Sequence, residues 1–156
     1  MTMQTTESSH PLLSCTDGAA ASTADVLLLI GRILLGWLFL TTAWGKLTGG
    51  IDGFAGYLRA LQVPAPEFFA WIGATVEFVV GITLILGIAT RYSALLCAVF
   101  VIVATALAHR YWEYPPAQMG AQKTSFLKNL AILGGALFLF VTGGGRFSID
   151  RILAKK

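Results

Sequence analysis

The sequence predicts an all-α integral membrane protein: a four-helix bundle with a short interfacial helix between the first two spans. Three observations carry this. Of 156 residues, 56% are hydrophobic and only 12% are charged, and the mean hydropathy is +0.73, outside the range of ordinary soluble domains. Four stretches are apolar and long enough, at ~1.5 Å per residue, to cross a hydrocarbon core of ~30 Å. Glycines, prolines and basic residues punctuate them, and an apolar run surrounded by lipid satisfies its own backbone as a helix.

Residues 1–24 are rich in Ser, Thr and Ala, contain no Lys or Arg and show no hydrophobic periodicity, so they read as a disordered N-terminal tail. The stretch Leu12-Leu13-Ser14-Cys15 has a lipoprotein-like look, but the basic start and apolar segment of a signal peptide are missing, and the match reads as coincidence. The membrane domain, residues 25–145, begins with a span from Val26 to Trp44 that only Arg32 interrupts. Residues 47–66 carry Gly49, Gly50 and Gly53, then Ile51, Phe54, Leu58 and Leu61 at helical spacing, then Pro64 and Pro66. That pattern predicts a short helix on the membrane surface. The second span, Phe68–Ala89, is broken only by Glu77. Thr90-Arg91 leaves a tight connection to the third, Tyr92–Ala108, so these two form an antiparallel hairpin. The aromatic and proline-rich run from His109 to Pro116 suits the headgroup belt and ends the helix. Residues 117–124 read as a polar loop, the fourth span as Ser125–Thr142, stopped by Gly143 to Gly145, and residues 146–156 as a basic tail.

The net charge of +3 is scattered, which argues against nucleic acid and suits a lipid bilayer. Cys15 and Cys97 form neither a disulfide framework nor a CxxC pair. With four spans, both termini and the Arg91 turn share one side of the membrane. Counting Lys and Arg by side gives a tie, and the C-terminal basic cluster then favours cytoplasmic termini.

Charged groups inside a bilayer cost roughly 2.5–3.5 kcal/mol each at mid-helix, so each requires a partner or a purpose. Arg32 and Glu77 lie deepest. Counting from the ends of their spans, their depths differ by only ~5 Å, which predicts an Arg32–Glu77 ion pair. Gly73, Glu77 and Gly81 recur every four residues, so the carboxylate faces a closely packed neighbouring helix. Arg32, Gly36, Phe39, Ala43 and Lys46 share one face of the first helix. Lys46, His109, Lys128 and Asn129 all lie at the loop end, where they are expected to converge into a polar mouth able to hold an anion, a quinone headgroup or a partner's carboxylates. The plainer alternative is lysines snorkelling to the headgroups.

Only His109 is placed to ligate within the bundle, so no haem held by two histidines is expected. His109 and Glu113 stand at i, i+4 without a third ligand, and no metal is expected either. No dinucleotide fingerprint or P-loop is present.

Taken together, Gly31-Arg32, Gly36, Gly45-Lys46, Glu77, Gly81, Gly87, Thr90-Arg91, His109 and Lys128-Asn129 resemble the DoxX family of small four-helix bacterial membrane proteins. The resemblance covers residues 25–145. It implies a bacterial inner-membrane protein linked to redox chemistry, since the family is named for a component associated with thiosulfate:quinone oxidoreductase and a terminal quinol oxidase. Some relatives are tied to thiol-oxidant stress complexes. The additional soluble domain of the thiosulfate enzymes is not in this sequence, so complete thiosulfate activity is not expected of the chain alone. The expected function is a redox-associated subunit, in an enzyme sense a membrane part of a quinone-linked oxidoreductase. Arg32 and Glu77 would hold the interior or relay protons, and Lys46, His109, Lys128 and Asn129 would line the quinone headgroup end. A protein partner or homo-oligomer is implied. The alternatives are a scaffold that recruits partners through residues 109–116, and a small transporter or proton route. The latter is disfavoured because the third span has no ionisable group below His109.

Overall fold

The computed structural model describes residues 11–155, with side chains from Thr23 onward. Six α-helices follow in order: α1 (Pro11–Gly45), α2 (Ile51–Ala60), α3 (Pro66–Leu86), α4 (Thr90–Ala108), α5 (Pro116–Thr142) and α6 (Ile149–Leu153). Four helical segments, built around α1, α3, α4 and α5, are long and apolar enough to cross a membrane. No strand occurs among the described residues.

Local sequence explains the boundaries. Pro66 and Pro116 stand in the first turns of α3 and α5, where a missing N–H costs nothing. Gly87, at φ 69°, ends α3 in the left-handed conformation that glycine adopts without strain. Between α1 and α2 the helix breaks at Thr48 and Gly49, and Gly49 takes φ 146°, turning the chain across the bundle.

Two expectations need correction. Composition predicts a disordered tail through residue 24, but α1 runs back to Pro11, and only residues 1–10 of that expectation lie outside the described residues. The stretch contains Leu12, Leu13 and Ala19 to Ala21, all good helix formers, and a helix already nucleated by the apolar span propagates through such residues cheaply. Likewise residues 117–124 are not a loop but the first turns of α5. Ala117, Gln118, Met119, Ala121 and Gln122 are mostly polar or small, yet favour helix once Pro116 starts it.

The helices associate as two close pairs, α1 with α3 and α4 with α5, joined by the short α3–α4 turn, while α2 packs on α3 through Ala55, Leu58 and Ala70. Phe39, Val80, Leu84, Cys97, Val101 and Leu139 belong to one buried core. The α1–α3 contact depends on absent side chains. A Cβ on Gly36 would lie 2.7 Å from the Gly81 carbonyl oxygen, and one on Gly81 would lie 2.7 Å from the Leu40 nitrogen. The small-residue stripe around Glu77 thus brings two backbones into contact, the arrangement that serves in lipid, where apolar side chains gain nothing from leaving water. Leu34, Trp37, Phe138 and Val141 face outward, as lipid requires.

Gly36→Ala and Gly81→Ala should therefore each destabilise the bundle by about 1–3 kcal/mol through overpacking, measured by denaturation in detergent micelles. Gly56→Ala, with no atom within 4 Å of the added methyl, should be neutral or slightly stabilising. Equal losses at all three positions would show that the α1–α3 contact is not close.

Candidate functional site

Glu77 is buried on α3, where the small-residue stripe turns it toward α1. Its partner is not Arg32. The Lys46 ammonium donates to both carboxylate oxygens, Oε1 and Oε2, at 2.6 Å. The kink after Lys46 returns the chain so that the Phe54 ring of α2 lies with its centroid 4.3 Å from the same ammonium, a cation–π contact. Gly73 makes room for that ring, since a Cβ there would stand 3.2 Å from a Phe54 ring carbon. Three elements thus enclose one ion pair, its carboxylate buried and its ammonium half-buried.

Arg32 sits at the opposite end. It is fully buried, and its Nη2 donates to the Phe147 carbonyl at 2.7 Å. It packs so tightly on the α3–α4 turn that a Cβ on Gly87 would lie 1.7 Å from Nη1, so Gly87 is demanded by space as well as by φ. The expected Arg32–Glu77 pair fails on depth. That expectation counts from Val26 as the start of the first helix, but α1 continues beyond it and Arg32 lies level with Gly87. Gly87 is ten residues, or ~15 Å along α3, from Glu77. Each charge has a nearer partner.

Around Arg32 the C-terminal segment folds back onto the turn. The Asp150 carboxylate accepts from the amides of Ala89 at 2.6 Å and Thr90 at 2.8 Å, capping α4, and the Asp150 amide donates to the Gly87 carbonyl at 3.0 Å. Ser148 caps α6 by accepting from the Arg151 amide at 3.2 Å, and Asp25 of α1 accepts from the Arg146 amide at 2.7 Å. Burial works against the Asp150 anion, but the Thr90 and Ala89 hydrogen bonds and the nearby Arg32 charge outweigh it and hold its pKa below the ordinary carboxylate value.

The expected mouth divides. Lys46 is committed to Glu77, whereas His109 and Asn129 belong to the α4–α5 pair. His109 Nδ1 lies 2.8 Å from Gln122 Oε1, and the Asn129 amide donates to the Thr105 hydroxyl at 2.9 Å. Lys128 is exposed and points elsewhere. Consecutive helical residues diverge by ~100°, so Lys128 and Asn129 cannot face the same space. Glu113 pairs with Arg110 at 3.2 Å rather than sharing a ligand with His109.

A groove of about 300 Å³ opens between α4 and α5 at this end. Thr105 and Asn129 lie in its wall, with Leu133 further along and Arg110, Trp112 and Phe126 about its loop end. Tyr111, Trp112 and Phe126 meet edge to face at centroid separations of 5.1–6.0 Å. Sequence reasoning found Asn129 and the aromatic run but missed the lining roles of Arg110 and Phe126. The signal for Phe126 is its i, i+3 relation to Asn129 within the fourth span, which puts the two on one face of α5.

Residues 27–110 match the DoxX family. The chain belongs to the DoxX family. It is 39% identical over 85% of its length to Inner membrane protein YqjF of Escherichia coli, covering 95% of that protein, and 34% identical over 81% to Inner membrane protein YphA of the same organism, covering 89%. It is also 29% identical over 80% to the uncharacterized membrane protein Rv3486 of Mycobacterium tuberculosis, covering 80% of it. No solved structure matches. This DoxX protein is an inner-membrane protein, and its membrane segments are the four apolar helices described above.

Because the folded-state pKa of Asp150 is lowered, the stability it contributes is present above the ordinary carboxylate value of ~3.9 and lost as pH falls through the lower folded value. Asp150→Asn should therefore be less stable than the native protein at neutral pH, and the difference should shrink on acidification below about pH 4. A difference that stays constant down to about pH 2 would mean that the carboxylate charge plays no part.

Proposed function

We propose that this DoxX protein is a redox-associated membrane subunit whose α4–α5 groove binds the ring of an isoprenoid quinone. The observation that carries the reading is the Asn129 amide, held by Thr105 in the wall of an otherwise apolar groove whose loop end carries Arg110, Trp112 and Phe126. A quinone needs a hydrogen-bond donor for a ring carbonyl, flat apolar walls for the ring and an opening to lipid for its tail. Asn129 has a second amide hydrogen for one carbonyl, and the Arg110 guanidinium stands at the rim for the other. The aromatic side chains suit the ring. Ile102 and Leu130, both about half exposed on the lipid-facing side, suit the isoprenoid chain. The volume, at the small end for ligand sites, favours a single ring over a whole lipid headgroup.

In this reading Lys46–Glu77 and Arg32 hold the bundle and touch no ligand, and a partner protein delivers or removes electrons at the 109–116 loop, beside the quinone. Exposed Arg91, Arg146, Arg151 and Lys155 at the other end favour cytoplasmic termini, which puts the groove near the periplasmic face.

Quinone extracted from the natively purified protein and identified by mass spectrometry is the expected result. In ubiquinone titrations followed by tryptophan quenching, Asn129→Leu should weaken binding about tenfold, the equivalent of one good hydrogen bond, while Lys128→Gln should change nothing. No co-purified quinone, together with equal affinities for native and Asn129→Leu protein, would replace this reading with a scaffold that recruits partners through the same loop.

A further inference from the structure

A second cleft, about 480 Å³, lies at the terminal end of the bundle, away from the proposed quinone groove, and its lining includes Asp25, Ser148, Asp150, Arg146, Arg151 and Lys155. By formal charge its three cations outnumber its two carboxylates, and both carboxylates are oriented by backbone amides. Asp25 is engaged by the Arg146 amide, and both oxygens of Asp150 are engaged by the Ala89 and Thr90 amides. None of Arg146, Arg151 and Lys155 forms an ion pair with a carboxylate among the described residues. At the loop end Lys46, Arg59 and Arg110 are paired with Glu77, Glu67 and Glu113, while Lys123 and Lys128 stand in no ion pair among the described residues and line neither cleft. The terminal cleft therefore presents three cations without carboxylate partners against two carboxylates held by backbone amides, an excess of positive charge that suits an anion.

The surroundings select the kind of anion. The cleft lies where α1 and α5 end their apolar runs, at headgroup depth. Beside it, exposed and apolar, stand Phe147, Ile152 and Leu153, 50%, 63% and 61% accessible. Apolar side chains interleaved with cations at the rim of a transmembrane bundle fit the acyl–headgroup boundary and have no use for a dissolved ion.

We infer that this cleft binds the phosphate of an anionic phospholipid headgroup. Arg146 and Arg151 supply guanidinium forks for the phosphate oxygens, Lys155 adds a point charge, and Phe147, Ile152 and Leu153 lie against the acyl chains. A lipid bound there rests on α1, the loop after α5 and α6 together, and so braces the C-terminal segment that caps the α3–α4 turn.

The test uses the full chain in detergent and in nanodiscs. Native mass spectrometry should retain phosphatidylglycerol in preference to phosphatidylcholine, and the preference should weaken as salt rises. In the triple variant Arg146→Gln, Arg151→Gln, Lys155→Gln, phosphatidylglycerol affinity should drop at least about tenfold. Lys123→Gln, Lys128→Gln at the other end should leave it unchanged. Inorganic phosphate at ~10 mM should neither compete nor stabilise. Equal retention of the two lipids by the native protein, which is readable even where the triple variant fails to fold, would overturn the inference. So would undiminished phosphatidylglycerol binding by the triple variant. Competition by inorganic phosphate would replace the lipid with a soluble anion. Quinone titrations of the same variants report separately on the α4–α5 groove.

Discussion

The Lys46–Glu77 bond is the contact on which the rest of the bundle depends. A carboxylate set in an apolar helix is tolerated only if a cation reaches it, and the one that does comes from the end of α1. For Lys46 to stay there, α1 must end at the right height and the chain must turn back, which the Thr48–Gly49 kink accomplishes. The turn brings Phe54 against the ammonium, and Gly73 clears space for Phe54. With α1 and α3 aligned by that pair, Gly36 meets Gly81 deeper in the bundle, so charge pairing and close packing define one register.

The opposite end has its own solution. Arg32 is stabilised by a backbone carbonyl and by the neighbourhood of Asp150, whose carboxylate simultaneously caps α4. The buried charges thus serve construction at both ends, while the α4–α5 pair, with no charge in its packed interior, carries a polar amide beside an apolar groove. Such a division separates what must stay rigid from what can accept a ligand, and it is consistent with the modest volume of the groove.

Much of this is legible in the sequence. Apolar runs and their Gly and Pro boundaries locate four spans and the interfacial helix, because lipid leaves the backbone so few choices. The four-residue spacing of Gly73, Glu77 and Gly81 identifies the face of α3 that meets protein. Partner choice is not legible. Depth counted from apparent span ends puts Arg32 beside Glu77, but Arg32's actual acceptor, the Phe147 carbonyl, lies 115 residues away in a segment that composition presents as a basic tail. Helical turns at 11–24 and 117–124 are hidden for a related reason, since hydropathy registers burial in lipid and is silent about helices that leave it. Lys128 joins the expected mouth only when position along the helix is counted and rotation about it is not.

A pair of double-mutant cycles in detergent tests this arrangement of charges most directly, one on Lys46 and Glu77 and one on Arg32 and Glu77, each with substitution to Met or Leu. Removing Lys46 alone should cost about 3–5 kcal/mol, and removing both partners should recover much of the loss. The Lys46–Glu77 coupling should exceed about 1 kcal/mol, and the Arg32–Glu77 coupling should be indistinguishable from zero. Strong coupling between Arg32 and Glu77, with none between Lys46 and Glu77, would contradict the account.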